Sequence, residues 1–343
     1  MATSILGIAN SGLSAAQAGL VTTSHNIANV NTPGFSRQQT VQGTPTPMYS
    51  GSGFIGSNLA AALVEQGYSV HLLRRLSSPL TSVADLDVEY AIGDLRDKES
   101  VRKAIKGCDT VFHAAALVSY WRRQREEMYD INIGGTRNVV EACLQEGVER
   151  LVHTSSIAAI GYSETDMPAG ETNAFNWDSL DIGYRISKFR AEQEILKGVS
   201  LGLPAVIVNP SVVIGERDIH FNGGQIIRDV YRKRLFYYIS GGTSIVYVGD
   251  VVQGHIQAAL KGRIGERYIL SGENLTYREM LETIAEIVGG MRPFFRLPVW
   301  AARGISICFR NDVRSDRYQT MGWERTCGCA PNTHAVFMRE GHA

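Results

Sequence analysis

Apolar residues follow two alternating rhythms along much of the chain. Short apolar runs at Tyr68–Leu73, Val111–Ala116, Arg150–Ser156 and Val206–Ile214 have the length and composition of buried strands. Longer amphipathic runs lie between them; the clearest is Ser57 to Gln66, which Gly67 stops as a helix-ending glycine would. Strands alternating with helices at this spacing predict an α/β fold, a doubly wound parallel sheet with helices on both faces.

The rhythm breaks at both ends. Upstream, Leu6, Ala9, Leu13, Ala16, Leu20, Ile27 and Val30 keep a three-then-four spacing interrupted at Thr23, which predicts a helical segment over residues 1–50. Where the first strand of a parallel sheet would run, the chain has Gly43-Thr-Pro45-Thr-Pro47-Met-Tyr-Ser50. Two prolines remove two ladder donors, so no central strand is predicted there. Beyond Ile307 apolar periodicity fails again, and residues 308–343 are expected to form an irregular tail.

Candidate chemistry centres on Tyr184-Arg-Ile-Ser-Lys188, preceded by the paired Ser155 and Ser156. Four residues is about one helical turn, so Tyr184 and Lys188 project from one face and an ammonium stands beside a phenol. A neighbouring positive charge typically lowers a phenol's pKa of about 10 by about 1 to 3 units. That makes Tyr184 the candidate general acid/base. Ser156, and less directly Ser155, would hold a substrate oxygen where charge develops. The bland alternative is a half-buried aromatic, a solvated lysine and ordinary strand-end serines; the ordered companions of the motif weigh against it.

From about Gly51 to Ile307 the chain resembles the extended short-chain dehydrogenase/reductase family, which holds nucleotide-sugar epimerases, dehydratases and dihydroflavonol-reductase-like enzymes. Gly51-Ser-Gly53-Phe54-Ile55-Gly56 resembles the end of that family's glycine-rich cofactor turn, and Gly93-Asp94-Leu95 its adenine-contacting turn. Val111-Phe-His-Ala114-Ala115-Ala116 resembles the strand and alanine-rich loop under the cofactor. Asn132-Ile-Gly-Gly-Thr136 resembles the next helix, where the resemblance makes Asn132 a support of the active site. Val206-Ile-Val-Asn209-Pro210-Ser-Val-Val213 is similar to the strand and loop that lie against the nicotinamide. Two further signatures, Val246 to His255 and Gly265 to Asn274, resemble parts of the family's substrate lobe, which starts from about residue 200. The resemblance implies that Lys188 also holds the nicotinamide ribose beside Tyr184.

Glycines suit the turn because pyrophosphate must approach backbone N–H groups at a helix N-terminus. Ser50 stands where the family spacing has the first glycine, which puts cofactor affinity in question. Arg74-Arg75 closes the second strand, where an arginine accommodates the 2′-phosphate of NADP and an acid would hold the ribose of NAD. NADP is therefore the expected cofactor, with NAD as the alternative and two simply solvated arginines as the bland reading.

Residues 1 to about 50 resemble the N-terminus of a flagellar hook-associated or rod-type axial protein. The carrying motifs are Ser11-Gly-Leu-Ser-Ala-Ala-Gln17 and Ser24-His-Asn-Ile-Ala-Asn29-Val-Asn-Thr-Pro33-Gly34-Phe35. The resemblance implies a partner helix from a C-terminus, which is not evident in this sequence. A junction is expected near Ser50 to Gly56, a stretch plausible in either parent.

Composition narrows the partners. In 343 residues, 44% hydrophobic content and 20% charge fit a globular chain, and 34 basic against 34 acidic residues give no reason to expect nucleic acid. Arg232-Lys-Arg234 reads as a solvated helix end or a substrate phosphate contact. Five cysteines without framework spacing fit reduced thiols, and Cys327-Gly-Cys329 with His334 is too sparse a set to predict a metal. No basic leader or membrane span precedes Arg37, so a cytoplasmic protein is expected. Its expected partners are a small-molecule substrate, a second copy of itself at most, and flagellar components only if the N-terminal segment is functional. Three readings follow: a nicotinamide-dependent enzyme of reductase type, with a nucleotide-sugar epimerase close behind; a flagellar axial component; or a chimera without activity.

Overall fold

The computed structural model describes residues 53–163, 168–177, 181–219, 223–298 and the strand 335–339. Helix α1 (Phe54–Glu65) starts from Gly53, whose extended backbone (φ −63°, ψ 137°) offers no side-chain cap to the first turn. Phe54, Ile55 and Gly56 therefore belong to the helix and not to the turn before it. The reason is packing: Phe54 is 7% exposed and anchors the first turn. At the other end Gly67 takes φ +85°, a conformation costly to any residue with a Cβ, and turns the chain into β1 (Ser69–Arg74).

Alternation continues through β2 (Glu89–Ile92), α2 (Lys98–Ile105), β3 (Thr110–His113), α3 (Arg125–Tyr129), α4 (Gly135–Glu146), β4 (Arg150–Thr154), α5 (Gly183–Ser200) and β5 (Ala205–Pro210). Then come β6 (Val212–Ile214), α6 (Gln225–Tyr231), β7 (Tyr237–Tyr238), β8 (Gly242–Tyr247), α7 (Val248–Lys261), β9 (Arg267–Leu270), β10 (Glu273–Thr276), α8 (Tyr277–Val288), β11 (Phe295–Arg296) and β12 (Ala335–Arg339).

The main sheet has seven strands in the order β2-β1-β12-β3-β4-β5-β9. β3 and β5 are buried along their whole length, which is why their sequences read as unbroken apolar runs. On one face Leu73, Val111, Leu151 and Ile207 pack with Ile105, Val139 and Ile195 of α2, α4 and α5. On the other, Leu72, Phe112, Val152 and Val206 pack with Leu59, Leu63, Val252 and Ile256 of α1 and α7. Helices on both faces of a sheet make the fold doubly wound, as the alternation predicts.

One strand departs from that prediction. β12 comes from the stretch expected to be irregular, and it runs antiparallel to both neighbours, pairing Ser69 with Arg339 on one side and Thr110 with Met338 on the other. It fills the slot between β1 and β3; the proline-bearing segment before residue 51 lies outside the described residues. The remaining pairs in this sheet are parallel.

A smaller lobe, expected from the sequence to bind substrate, is interleaved with the main sheet. A three-stranded sheet, β10-β8-β6, and the pair β11-β7 lie with α6 and α8 around Ile214, Ile227, Val230, Met280, Leu281 and Ile284. A reciprocal cap starts α8: Thr276 Oγ1 accepts from the Glu279 N–H, and the Glu279 carboxylate accepts from the Thr276 N–H. β5, α7 and β9 follow residue 200 yet belong to the main sheet, so residue 200 is no clean boundary.

Candidate active site

The site lies along the C-terminal ends of the parallel strands. A cleft there is lined by Leu73, Arg74, Arg75, Gly93, Asp94, Leu95, Ala115 and Ile131. It gathers five of the residues expected at a cofactor: Arg74, Arg75, Asp94, Leu95 and Ala115. Gly93 is needed for the cleft wall, since a Cβ there would meet the Ser100 side chain at 2.6 Å and Leu73 Cδ1 at 2.9 Å. Arg74 is held in place, donating from Nη1 to the carbonyls of Arg75 (3.0 Å) and Ser78 (2.9 Å). Burial works to raise the Asp94 carboxyl pKa, but hydrogen bonds from Arg96 and the charges of Arg96 and Arg75 outweigh it and hold the group below its ordinary value.

Gly53, Phe54, Ile55 and Gly56 open α1, whose first N–H groups have no intrahelical acceptor and no side-chain cap. An uncapped helix start is a place for an anion such as a pyrophosphate. Gly51 lies outside the described residues. The alanine-rich loop leaves β3 at Ala114 and Ala116; Pro210 ends β5, and Val213 sits in β6 opposite Val246. The basic, glycine-walled cleft and the uncapped start of α1 each offer chemistry that the phosphates of a dinucleotide call for.

The residues expected to handle a proton lie between β4 and α5. Tyr184 and Lys188 occupy successive turns of α5, and the fully buried Lys188 donates from Nζ to the Thr154 carbonyl at 2.8 Å. Burial depresses its pKa to about 8, while the charge of Glu192 pulls the other way. Beyond Thr154 the strand delivers Ser155, which is buried, and Ser156, which is half-buried and whose Oγ accepts from the Ala158 N–H at 3.2 Å. The Tyr184 ring faces that of Tyr120 with centroids 5.8 Å apart. Phe189, on the same helix, stacks on Phe175 at 4.4 Å.

Asn132 sits in a π-helical turn, Asp130–Gly134, between α3 and α4. Its Oδ1 accepts from the Leu117 N–H (2.6 Å), and its Nδ2 donates to the Leu117 carbonyl (2.8 Å) and to Ser187 Oγ (2.9 Å). Ser187 Oγ in turn donates to the Tyr184 carbonyl at 2.8 Å. Asn132 therefore ties the loop after β3 to the first turn of α5.

Sequence reasoning missed the polar layer under α5. His113, His153, Glu192 and Asn209 are all fully or nearly fully buried there. Their signal was available: Glu192 repeats the four-residue spacing of Tyr184 and Lys188, and His113, His153 and Asn209 interrupt three apolar runs near their C-terminal ends. Arg232 and Arg234 are exposed at the end of α6, and no described cluster of three His, Cys, Asp or Glu could hold a metal ion. No helix among the described residues is long and apolar enough to cross a membrane.

Comparison with known proteins identifies the family and the fold. The profile of the NAD dependent epimerase/dehydratase family matches residues 51–271. A dihydroflavonol 4-reductase-type protein of Synechocystis sp. is 38% identical over 73% of this chain and 74% of its own length. Sterol demethylase protein B of Methylococcus capsulatus is 34% identical, covering 75% of this chain and 78% of that one. A solved UDP-glucose 4-epimerase from Thermus thermophilus in complex with NAD superposes with a TM-score of 0.61 at 30% identity, covering 71% of this chain and 83% of the other. At the N-terminus, residues 6–35 match the Flagella basal body rod protein profile, in agreement with the resemblance of that segment, although it lies outside the described residues.

Proposed function

The chain belongs to the NAD dependent epimerase/dehydratase family, and on that premise we infer that it is a cytoplasmic reductase acting on a small carbonyl substrate with NADP. The observation that carries the reading is the buried Lys188, fixed to the strand that ends in Ser155–Ser156 and one helical turn from Tyr184. When bound, the nicotinamide cofactor supplies a hydride in reduction and accepts one in oxidation. Tyr184 gives the substrate oxygen its proton in reduction and takes it back in oxidation. Lys188, charged at neutral pH, stabilises the phenolate left behind. Ser156 donates to the substrate oxygen, and Asn132 fixes the first turn of α5 so that Tyr184 stays in line.

Arg74 and Arg75 support NADP over NAD, since both line the cleft at the end of β1. Asn209 supports the reductase branch: it precedes Pro210 as a buried, hydrogen-bonded amide and offers no cation to a nucleotide-sugar phosphate. The reading is tested by following NADPH and NADH oxidation with a panel of aromatic and alicyclic ketones. Consumption of NADPH at least tenfold faster than NADH supports it. Turnover of a UDP-sugar without net cofactor consumption would replace it with an epimerase.

A second reading rests on the match of residues 6–35 to the rod-protein profile. It makes the N-terminal segment an axial assembly element. Recovery of the protein with purified hook–basal bodies supports that role; recovery from cytosol alone rules it out.

A further inference from the structure

Glu192 is a carboxylate with no exposed surface, on α5 one turn beyond Lys188. A buried charge persists only where partners offset its desolvation. Asn209, itself fully buried on β5, donates from Nδ2 to Glu192 Oε1 at 2.7 Å. The same Nδ2 donates to the Ser156 carbonyl at 2.9 Å. Both partners are acceptors, so only the amide nitrogen satisfies them and the orientation of the side chain is fixed. Arg267 of β9 approaches the other carboxylate oxygen at 3.5 Å, a loose ion pair without a hydrogen bond.

We propose that Glu192 is a positioning residue of the active site, bridged by Asn209 to the Ser156 backbone and set one turn of α5 beyond Lys188, whose ammonium its charge stabilises. The carboxylate thus bears on both groups on which the reaction depends in the reading given above. Ser156 has an extended backbone (φ −165°, ψ 156°), and fixing its carbonyl fixes the direction from which its Oγ leaves the chain. Lys188 has lost its water to burial, and the charge of Glu192 works to retain its proton. Other groups neighbour the same ammonium: His113 of β3 and His153 of β4 feel its charge, His255 of α7 is hydrogen-bonded to Thr154, and Tyr184 precedes Lys188 by one turn of α5. The three histidines are kept neutral by burial, leaving Glu192 as the negative charge beside Lys188.

The test uses the full chain labelled with ε-13C lysine, without cofactor, so that it reads Lys188 independently of turnover. The Lys188 resonance is assigned by its loss in Lys188→Met, and its midpoint is followed by NMR from pH 6 to 11. Glu192→Gln keeps an acceptor for Asn209 and removes only the charge, so its midpoint drops by about one unit or more. Glu192→Asp restores the charge and returns the midpoint toward that of the parent. Asn209→Ala, which releases the Ser156 carbonyl, lowers kcat at least tenfold, with cofactor Kd changed less than twofold. A midpoint unmoved in Glu192→Gln, or full kcat in Asn209→Ala, overturns the proposal. If Glu192→Gln does not fold, the Asp variant decides: its shorter side chain holds the charge farther from Lys188, so a midpoint below the parent's supports the coupling and an identical one overturns it. A shifted midpoint in a protein that turns over no substrate would instead count against the reductase reading and leave the Glu192–Lys188 link standing.

Discussion

Lys188 Nζ donates to the Thr154 carbonyl across the gap between α5 and β4, at 2.8 Å. The ammonium is thereby fixed by backbone in a place water does not reach, and burial brings its pKa from 10.5 down to about 8. Its charge is present below that value and lost above it. kcat/KM should therefore fall on the alkaline side with a limb near pH 8, and Lys188→Met should lose roughly 100-fold in rate and the limb with it. A profile flat to pH 10 contradicts the assignment.

Three buried histidines make stability depend on acid. His113 donates from Nε2 to Thr136 Oγ1, whose own proton goes to the Asn132 carbonyl, and burial with the charge of Lys188 lowers its pKa to about 3. His255 is lowered to about 4 by burial, donating from Nδ1 to the Val251 carbonyl and accepting from Thr154 at Nε2. His153 is pushed down by burial and by its neighbours His113, Lys188 and His255. With folded values below the unfolded 6.5, the unfolded chain binds more protons as pH drops, so stability present above pH 6.5 is lost on acidification. At pH 5.5 each such group costs about 1.4 kcal/mol. Chemical denaturation at pH 7.5 and 5.5 checks this; equal stabilities refute it.

Asn132 satisfies both backbone groups of Leu117 and the hydroxyl of Ser187. Replacing it by alanine strands buried donors and acceptors, at a cost of about 3 kcal/mol. The loss should appear in urea denaturation, and kcat should fall with it because the first turn of α5 is freed. Asn132→Asp, which sets a buried carboxylate oxygen against the Leu117 carbonyl, should cost at least as much as the alanine variant.

β12 occupies a central slot with ladder partners on both sides, Leu72 opposite Val336 and Val111 opposite Phe337. A proline at its centre, Phe337→Pro, removes a ladder donor and should cost about 3 kcal/mol or more. Thermal melting distinguishes this from an unpaired tail, for which the substitution would leave the transition where it is.

The parts of this fold that read clearly from sequence are those in which one residue type answers one physical demand. Val111, Leu151 and Ile207 announce strands buried on both faces, and Gly67 and Gly93 stand where a Cβ would be strained or would collide. Tyr184 and Lys188 are legible because a helix repeats every three to four residues. What stayed hidden depends on distant partners. Ala335–Arg339 carries little strand signal by itself and gains its place from the two edges of β1 and β3. Glu192 reads as one more helix carboxylate until Asn209, seventeen residues on, is brought against it. The start of α1 was misjudged because the burial of Phe54, not a capping residue, sets it.

A fluorescence titration of NADPH into the parent protein and into Tyr184→Phe, followed by turnover of a reducible ketone, tests the account most directly. Binding in both with turnover lost only in the variant is the predicted result. No binding at millimolar NADPH, or turnover undiminished by removal of the phenol, would contradict it.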